Sequence, residues 1–333
     1  MSSVLRIGSR PSALALTQTA SIRDAIIQRL GSLTVEIVPI STSGDKMRTA
    51  SLAQVGGKGL FIRELEQALR EHRIDAAVHS MKDLPATLLQ QFRIAAVPRR
   101  EAPNDVLLTR SREGWAALPQ RARLGTSSIR RRLQALRLHP NLEVLPLRGN
   151  VDSRFGRLRA GDFDAIILAE AGLRRLGRFN DSLSGNADKI AGDISTIELD
   201  LHDFVPSGGQ GALAVEVLRD SLPGGSKEIN DAIIDLTDLP TLAEVTAERA
   251  CLTTLGASCV SPVGVNCKLE DKRLTLHALL FSIDGARSLG AEEAEKMAPD
   301  MPRERIEQTA SQLGERLGRL MLEQGGGELI SGG

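Results

Sequence analysis

Apolar, β-rich runs alternate with helical patterns along most of this chain, and that alternation constrains its fold more than any other feature. "VLRIG" leads into a helical stretch from Ala13 to Leu30, "TVEIVPI" into "GLFIRELEQALREHR", and "IDAAV" and "FRIAAVP" follow. Such alternation indicates α/β layers. It recurs after Pro103 in "DVLLT", "ARLG" with an arginine-rich helix, "LEVLPLRG" and "FDAIILAEAGLRRLG". The two blocks are alike. "IGSRPSALALTQ" and "LGTSSIRRRLQA" both run strand, Gly, small polar residues, helix, Gln; "IDAAVHSMKDL" and "FDAIILAEAGL" both place Asp before an apolar strand. Two similar α/β lobes are expected. Residues 178 to 204 are turn-rich, with a loop near Asn186. Beyond the linker "SLPGGSKE" comes a third region. It should hold helices from Ile229 to Leu236 and Leu242 to Leu255, strands near Val260 to Leu269 and Arg273 to Phe281, and a long amphipathic helix from Arg303 to Leu322.

The bulk numbers exclude several classes. The 333 residues are 41% hydrophobic and 25% charged, enough to bury a proper core over two or three domains. Formal net charge is zero, so the basic excess of a nucleic-acid-coating protein is missing and any anion site must be a local concentration of Arg and Lys. Cys251, Cys259 and Cys267 form neither a disulfide framework nor a C-x-x-C zinc pair. No apolar run approaches the roughly 20 residues of a membrane span. Arg6 and Arg10-Pro11 interrupt the N-terminus too early for a signal-peptide core, so a cytoplasmic protein is expected.

The stretch "LGTSSIRRRLQAL" sets a puzzle. A helix capped by Ser127 or Ser128 carries Arg130, Arg131 and Arg132 in its first turn, where the helix dipole disfavours cations. The arrangement makes sense when an anion fills the space. Other cations gather at strand ends and helix starts: Arg10, Lys58 in "VGGKGLF", Lys82 in "HSMKD", Arg148 and Arg154 in "LRGNVDSR", and Arg175. Ligands of α/β sheets bind at the carboxyl ends of strands, and arginine suits carboxylate or phosphate. The standard phosphate loops are missing, so carboxylates are the expected ligand. In "AAVHSMKDLP", Asp83 is a candidate acid–base or cation-stabilising carboxylate, with an ion pair to Lys82 or a cap as the alternative. In "TLGASCVSPVG", Cys259 sits in a turn where a thiol can be reactive, whereas Cys251 and Cys267 fall on core-facing patterns.

Taken in order, "GSRPSALALTQ", "VGGKGLFIRELE", "DAAVHSMKDLP", "GTSSIRRRLQ", "LRGNVDSR", "DAIILAEAGLRRLG", "SGGQGALAVE", "TAERACLTTL" and "CVSPVG" closely resemble the porphobilinogen deaminase family, from about Arg6 to beyond Leu322. The resemblance implies an α/β fold of two periplasmic-binding-protein-like lobes plus a small α/β C-terminal domain. Residues 1–99 with 205–220 would form the first lobe, 100–204 the second, and 221–333 the cofactor-bearing domain. It implies a transferase, a hydroxymethylbilane synthase of tetrapyrrole biosynthesis. A dipyrromethane cofactor would hang by a thioether from Cys259, and porphobilinogen units would be added to the growing polypyrrole chain with loss of ammonia. A monomer is implied, with no nucleic acid, membrane or metal. Carried over by motif, Asp83 is the catalytic residue. Lys82, Asp83, Arg130, Arg131 and Arg148, with Thr126, Ser127 and Ser128, would hold the cofactor. Arg10, Ser12, Gln18, Lys58, Ser80, Arg154, Arg175 and Gln210 would hold substrate. Arg132 is read as surface. Departures from the family pattern are Gln54 for Lys, Ala257-Ser258 for Gly-Gly, Gly208 for Val, and a longer 178–204 segment. A solute-binding receptor and a phosphate-substrate transferase are the competing classes; the first leaves Cys259 and Asp83 without a role, and the second lacks its loops.

Overall fold

The computed structural model describes residues 4–31, 33–42, 62–110, 114–179, 189–190, 194–258 and 261–331. In the first lobe β1 (Val4–Ser9), α1 (Ala13–Leu30), β2 (Thr34–Pro39), α2 (Arg63–Arg70), β3 (Ala76–Ser80) and β4 (Phe92–Ala96) succeed one another. The second lobe holds β5 (Asp105–Thr109), β6 (Arg123–Gly125), α3 (Ile129–Leu138), β7 (Glu143–Leu145), α4 (Val151–Arg159), β8 (Ala165–Ala169), α5 (Glu170–Arg175), β9 (Lys189–Ile190) and β10 (Ile194–Glu198). The chain then returns to the first lobe as β11 (Leu213–Leu218).

The two sheets share one plan. The first runs β2-β1-β3-β11-β4 and the second β7-β6-β8-β5-β10-β9. In each, three strands are parallel, and the strand arriving from the other lobe lies antiparallel beside the third: β11 beside β3, β5 beside β8. The likeness between the blocks is therefore structural, and it reaches single residues. Gly8 pairs with Ala77, and Gly125 with Ile166. A Cβ on Gly8 would run into Ile74, and one on Gly125 would lie 2.9 Å from Phe163 Cδ1, so both strands pass close to the side chains that lead into the neighbouring strand. Arg6 pairs with Asp75, and Arg123 with Asp164; in both pairs the Asp also accepts the arginine's own backbone N–H at 2.8 Å.

The third region is a three-stranded antiparallel meander, β12 (Val263–Glu270), β13 (Arg273–Phe281) and β14 (Ser288–Lys296). It packs against α7 (Leu239–Thr254) and α8 (Arg303–Glu323), with α9 (Gly326–Ser331) at the end. Cys251 and Cys267 are buried in its core with Val265, Leu276 and Leu317. Two features differ from the sequence reading. Helix α6 (Lys227–Ile234), read as the start of the third region, packs on the first lobe: Ile229 and Ile233 share a core with Leu5, Ile7 and Val215. Strand β14 has no sequence signature, because the edge segment "SLGAEEAEK" holds a single Leu among small and charged residues and offers no apolar run. The expected loop near Asn186 lies outside the described residues. Among the described residues no helix is long and apolar enough to cross a membrane, and no group of His, Cys, Asp and Glu is arranged to hold a metal ion.

Candidate active site

The site lies where the lobes meet and is built from strand ends. Strand β3 finishes at Ser80, and a single 3-10 turn, Met81–Asp83, follows. Met81 is buried and anchors the turn, while Asp83 is exposed. On the other lobe β6 ends at Gly125, and Ser128 caps α3 by accepting the Arg131 N–H at 3.4 Å. Thr126 Oγ1 accepts the Ser128 N–H, and Ser127 Oγ donates to the Leu147 carbonyl, so the small polar residues shape the approach to the helix. Asn150 caps α4 through Ser153 N–H at 2.8 Å, and Arg154 Nε donates to the Gly149 carbonyl.

The arginine puzzle has an answer inside the chain. Arg130 and Arg131 are buried, and both grip Asp105, the fully buried first residue of β5. Arg130 NH2 reaches Asp105 Oδ2 at 2.8 Å; Arg131 NH2 and Nε reach Oδ1 at 2.7 and 3.1 Å. Arg130 also donates to the Val205 carbonyl and Arg131 to that of Ile167. Burial alone would raise the Asp105 carboxyl, but the two guanidiniums outweigh it and hold it well below the usual carboxylate range. Gln210, on the returning crossing, completes the network. Its amide donates to Asp105 Oδ1 at 2.9 Å and to the Pro103 carbonyl, and its oxygen accepts from Lys82 Nζ at 3.1 Å. Lys82 of the first lobe is thereby tied to the arginines of the second.

Positive charge still predominates here. Lys82 keeps some solvent contact yet is crowded by protein atoms. Burial, then Arg131, pushes its ammonium down to about 8, against the opposing pull of Asp83 and Asp105. Burial and Arg131 likewise push Arg154 down to about 10. Burial, partly offset by Asp105, lowers Arg130 as well. Burial strips these cations of the water that would solvate them, so a further negative group beside them is favoured.

The structure thus brings together Asp83, Lys82, Arg130, Arg131, Arg154 and Gln210 among the residues singled out in the sequence. Arg10 and Arg148, both half-buried, follow β1 and β7 at neighbouring strand ends; Arg175 is tied to the Gly211 carbonyl at 2.6 Å. Ser12 is the cap of α1 and Gln18 is buried in that helix. Arg132 is exposed. Lys58 and Cys259 lie outside the described residues, as does Gln54. Sequence reasoning missed Asp105. The available signal was an acid opening an otherwise apolar strand, where an unpaired carboxylate would be costly.

Fold and site together define an α/β protein of two matched lobes and a smaller third unit, with a cluster of cations and an exposed carboxylate where the lobes meet. The chain belongs to the porphobilinogen deaminase family. The family model described as "Porphobilinogen deaminase, dipyromethane cofactor binding domain" matches residues 5–222, and that of the C-terminal domain matches residues 242–323. A porphobilinogen deaminase of Syntrophobacter fumaroxidans is 40% identical, covering 95% of this chain and 98% of its own. Another, of Roseiflexus castenholzii, is 39% identical over the whole of both. Among solved structures, the VFT2 domain of Bordetella pertussis BvgS matches 70% of this chain and 86% of its own at 15% identity, with a TM-score of 0.40.

Proposed function

We propose that the chain joins four porphobilinogens head to tail onto a dipyrromethane held by Cys259, releasing ammonia at each addition and finally hydroxymethylbilane by hydrolysis. The observation that carries this reading is the gathering of Lys82, Arg130 and Arg131 around the buried carboxylate of Asp105, with Arg154 close to Arg131 and Asp83 exposed next to Lys82. A dipyrromethane bears acetate and propionate groups, and those carboxylates fit such a cluster. When bound, it supplies the pyrrole end to which each new unit is joined.

Arg130, Arg131, Arg148, Arg154 and Lys82 hold ring carboxylates in this reading, with neutral hydrogen bonds from Thr126, Ser127 and Ser128. Asp105 orients the arginine pair without exhausting it: Arg131 makes three bonds to Asp105 and Ile167 and keeps N–H donors to spare. Arg10, Ser12, Gln18, Lys58, Ser80 and Arg175 serve the incoming porphobilinogen and growing chain; Gln210 acts by bridging Lys82 to Asp105. Asp83 does the chemistry. Loss of ammonia from porphobilinogen leaves a cationic centre, and a fixed carboxylate lowers the barrier to forming it. The same carboxyl delivers a proton to the leaving amine and later accepts the pyrrole ring proton. Water is excluded on one side by the buried network of Asp105 and Gln210.

Thiol chemistry supports Cys259 as the attachment point. Burial, reinforced by Glu248, pushes Cys251 up to about 12 and Cys267 well above its ordinary value, so neither offers a thiolate near neutral pH. The test is an intact mass of the purified protein with peptide mapping. A dipyrromethane increment on the Cys259 peptide, lost in Cys259→Ser together with bilane formation, is expected. A bare wild-type chain that still forms bilane overturns the reading.

A further inference from the structure

Behind the catalytic turn lies a second cleft, of about 520 Å³, between the first lobe and helices α7 and α8. Its volume falls within the range of small-molecule sites. Its inner wall is apolar, from Met81, Val97, Leu242 and Val245. Arg303 and Glu307, 3.4 Å apart, and Arg319 and Glu315, 3.6 Å apart, form two ion pairs on α8 that also line it. It shares no lining residue with the Lys82–Arg131–Asp105 network, because the Met81–Asp83 turn stands between them.

Arg249 of α7 sets the chemistry of this cleft. Its NH2 donates to the carbonyls of Pro85 at 2.8 Å and Ala86 at 2.9 Å, and NH1 lies 3.7 Å from Met81 Sδ. The third domain thus grips both ends of the segment that carries Asp83. All these partners are neutral, and Nε donates to nothing among the described residues. Glu216 is the opposite charge that acts on Arg249, without a direct bond. Burial pushes the guanidinium down to about 10. A crowded arginine with spare donors on an otherwise apolar wall is complementary to a carboxylate carried on an apolar body.

We propose that this cleft binds a small apolar carboxylate, anchored on Arg249, and that the occupant acts on the catalytic turn through that arginine. A carboxylate brings a full opposite charge to the guanidinium where the Pro85 and Ala86 carbonyls offer only partial ones, so a bound carboxylate draws Arg249 away from them. The turn carrying Asp83 then loses its rear support, and kcat falls with KM little changed.

The probe is 3-phenylpropionate, titrated calorimetrically into the holoenzyme with and without saturating porphobilinogen. Saturable binding that porphobilinogen does not displace is expected, with a fall in kcat on the same concentration scale. Arg249→Met should weaken binding at least tenfold. Thr246→Trp, which fills the cleft from a half-buried lining position that makes no hydrogen bond to the Met81–Ala86 segment, should block binding while leaving melting temperature and basal turnover near wild type. No saturable binding, displacement by porphobilinogen, or wild-type affinity in both variants overturns the site; binding without any change in kcat overturns the coupling.

Discussion

The two lobes are built on one frame and given opposite chemistry. Position for position, Ser12 and Ser128 cap the first helix of each lobe, and Gln18 and Gln134 follow six residues later. Between cap and Gln, the first lobe has Leu14-Ala15 where the second has Arg130-Arg131. After the third strand the asymmetry reverses. The register that pairs Gly8 with Ala77 and Gly125 with Ile166 sets Lys82 and Asp83 opposite Ala171 and Gly172. One lobe brings the acid and a lysine, the other the arginine pair, and neither holds a complete site. The frame is kept while the charges are divided, and in the proposed reaction the arginine lobe supplies most of the carboxylate holders and the other lobe the reacting carboxyl.

The largest effect should come from the residue that has no counterpart. Asp83 is exposed and takes no part in the buried network, so Asp83→Asn should fold with a melting temperature near wild type. Its turnover should drop by roughly a hundredfold or more, the scale of removing one preorganised electrostatic contact. Asp83→Glu, which keeps the charge one methylene out of place, should retain a small residue of activity. An active, folded Asp83→Asn protein would remove the division of labour altogether.

Next in size is Asp105, which belongs to the frame of the arginine lobe. Asp105→Asn leaves two guanidiniums buried around a neutral amide, and breaking a buried ion pair by removing one partner costs about 3–5 kcal/mol. Urea denaturation should register that loss, and intact mass should show incomplete cofactor loading. Wild-type stability in Asp105→Asn would mean that the arginines find another partner, and that the second lobe is not preorganised by this carboxylate.

Arg148→Leu should act more locally. A hydrogen bond to a charged group is worth about 1.5–3 kcal/mol, so chain elongation should slow by roughly ten- to a hundredfold, with little change in melting temperature. Arg131→Leu should show the same loss together with destabilisation, because the Asp105 charge then keeps one of its two guanidiniums, with the neutral Gln210 amide beside it. Full cofactor loading with wild-type turnover in both variants would break the assignment of carboxylate binding to the second lobe.

How much of this could be read in the sequence depended on how far apart the interacting residues lie. The capped helices, the strand ends and the turn holding Asp83 are local patterns, and each was legible within a dozen residues. The repeat showed in the text as strand, Gly, cap and Gln, because both frames need a close-packed glycine and a helix cap. Asp105 is different. Its partners stand 25, 26 and 105 positions away, on two separate elements. An acid opening the apolar run of "NDVLLT" signals that the charge needs a partner, but nothing beside it says which. Arg249 was hidden for the same reason, since it meets Pro85 from 164 residues away. Edge strand β14 lacks a strand pattern because its exposed positions are Ser288, Gly290, Glu292 and Lys296 and its half-buried ones include Glu293 and Glu295. Long-range polar closure is the part of this molecule that local pattern does not encode.

The smallest expected effect tests the lysine that stands opposite Ala171. Lys82 titrates at about 8 in the folded chain, against about 10.5 when unfolded. Below pH 8 the amine is charged in both states, and the folded state bears the strain of burial and of Arg131. Between about 8 and 10.5 the folded protein has lost that proton while the unfolded chain still holds it. The unfolded state then binds more protons, so stability rises with pH across this window. Buried thiols pull the other way there, since Cys251 is pushed up to about 12 and releases its proton more readily on unfolding. Comparison with Lys82→Met cancels that term. In the Cys259→Ser background, which lacks the cofactor, urea midpoints should gain from alkaline pH relative to the same protein carrying Lys82→Met. In the holoenzyme, ring carboxylates beside Lys82 raise its pKa toward the unfolded value and the gain should shrink. Equal pH profiles with and without Lys82 in the cofactor-free protein would show that the first lobe's cation is not strained, and that the surplus charge lies on the arginine lobe alone.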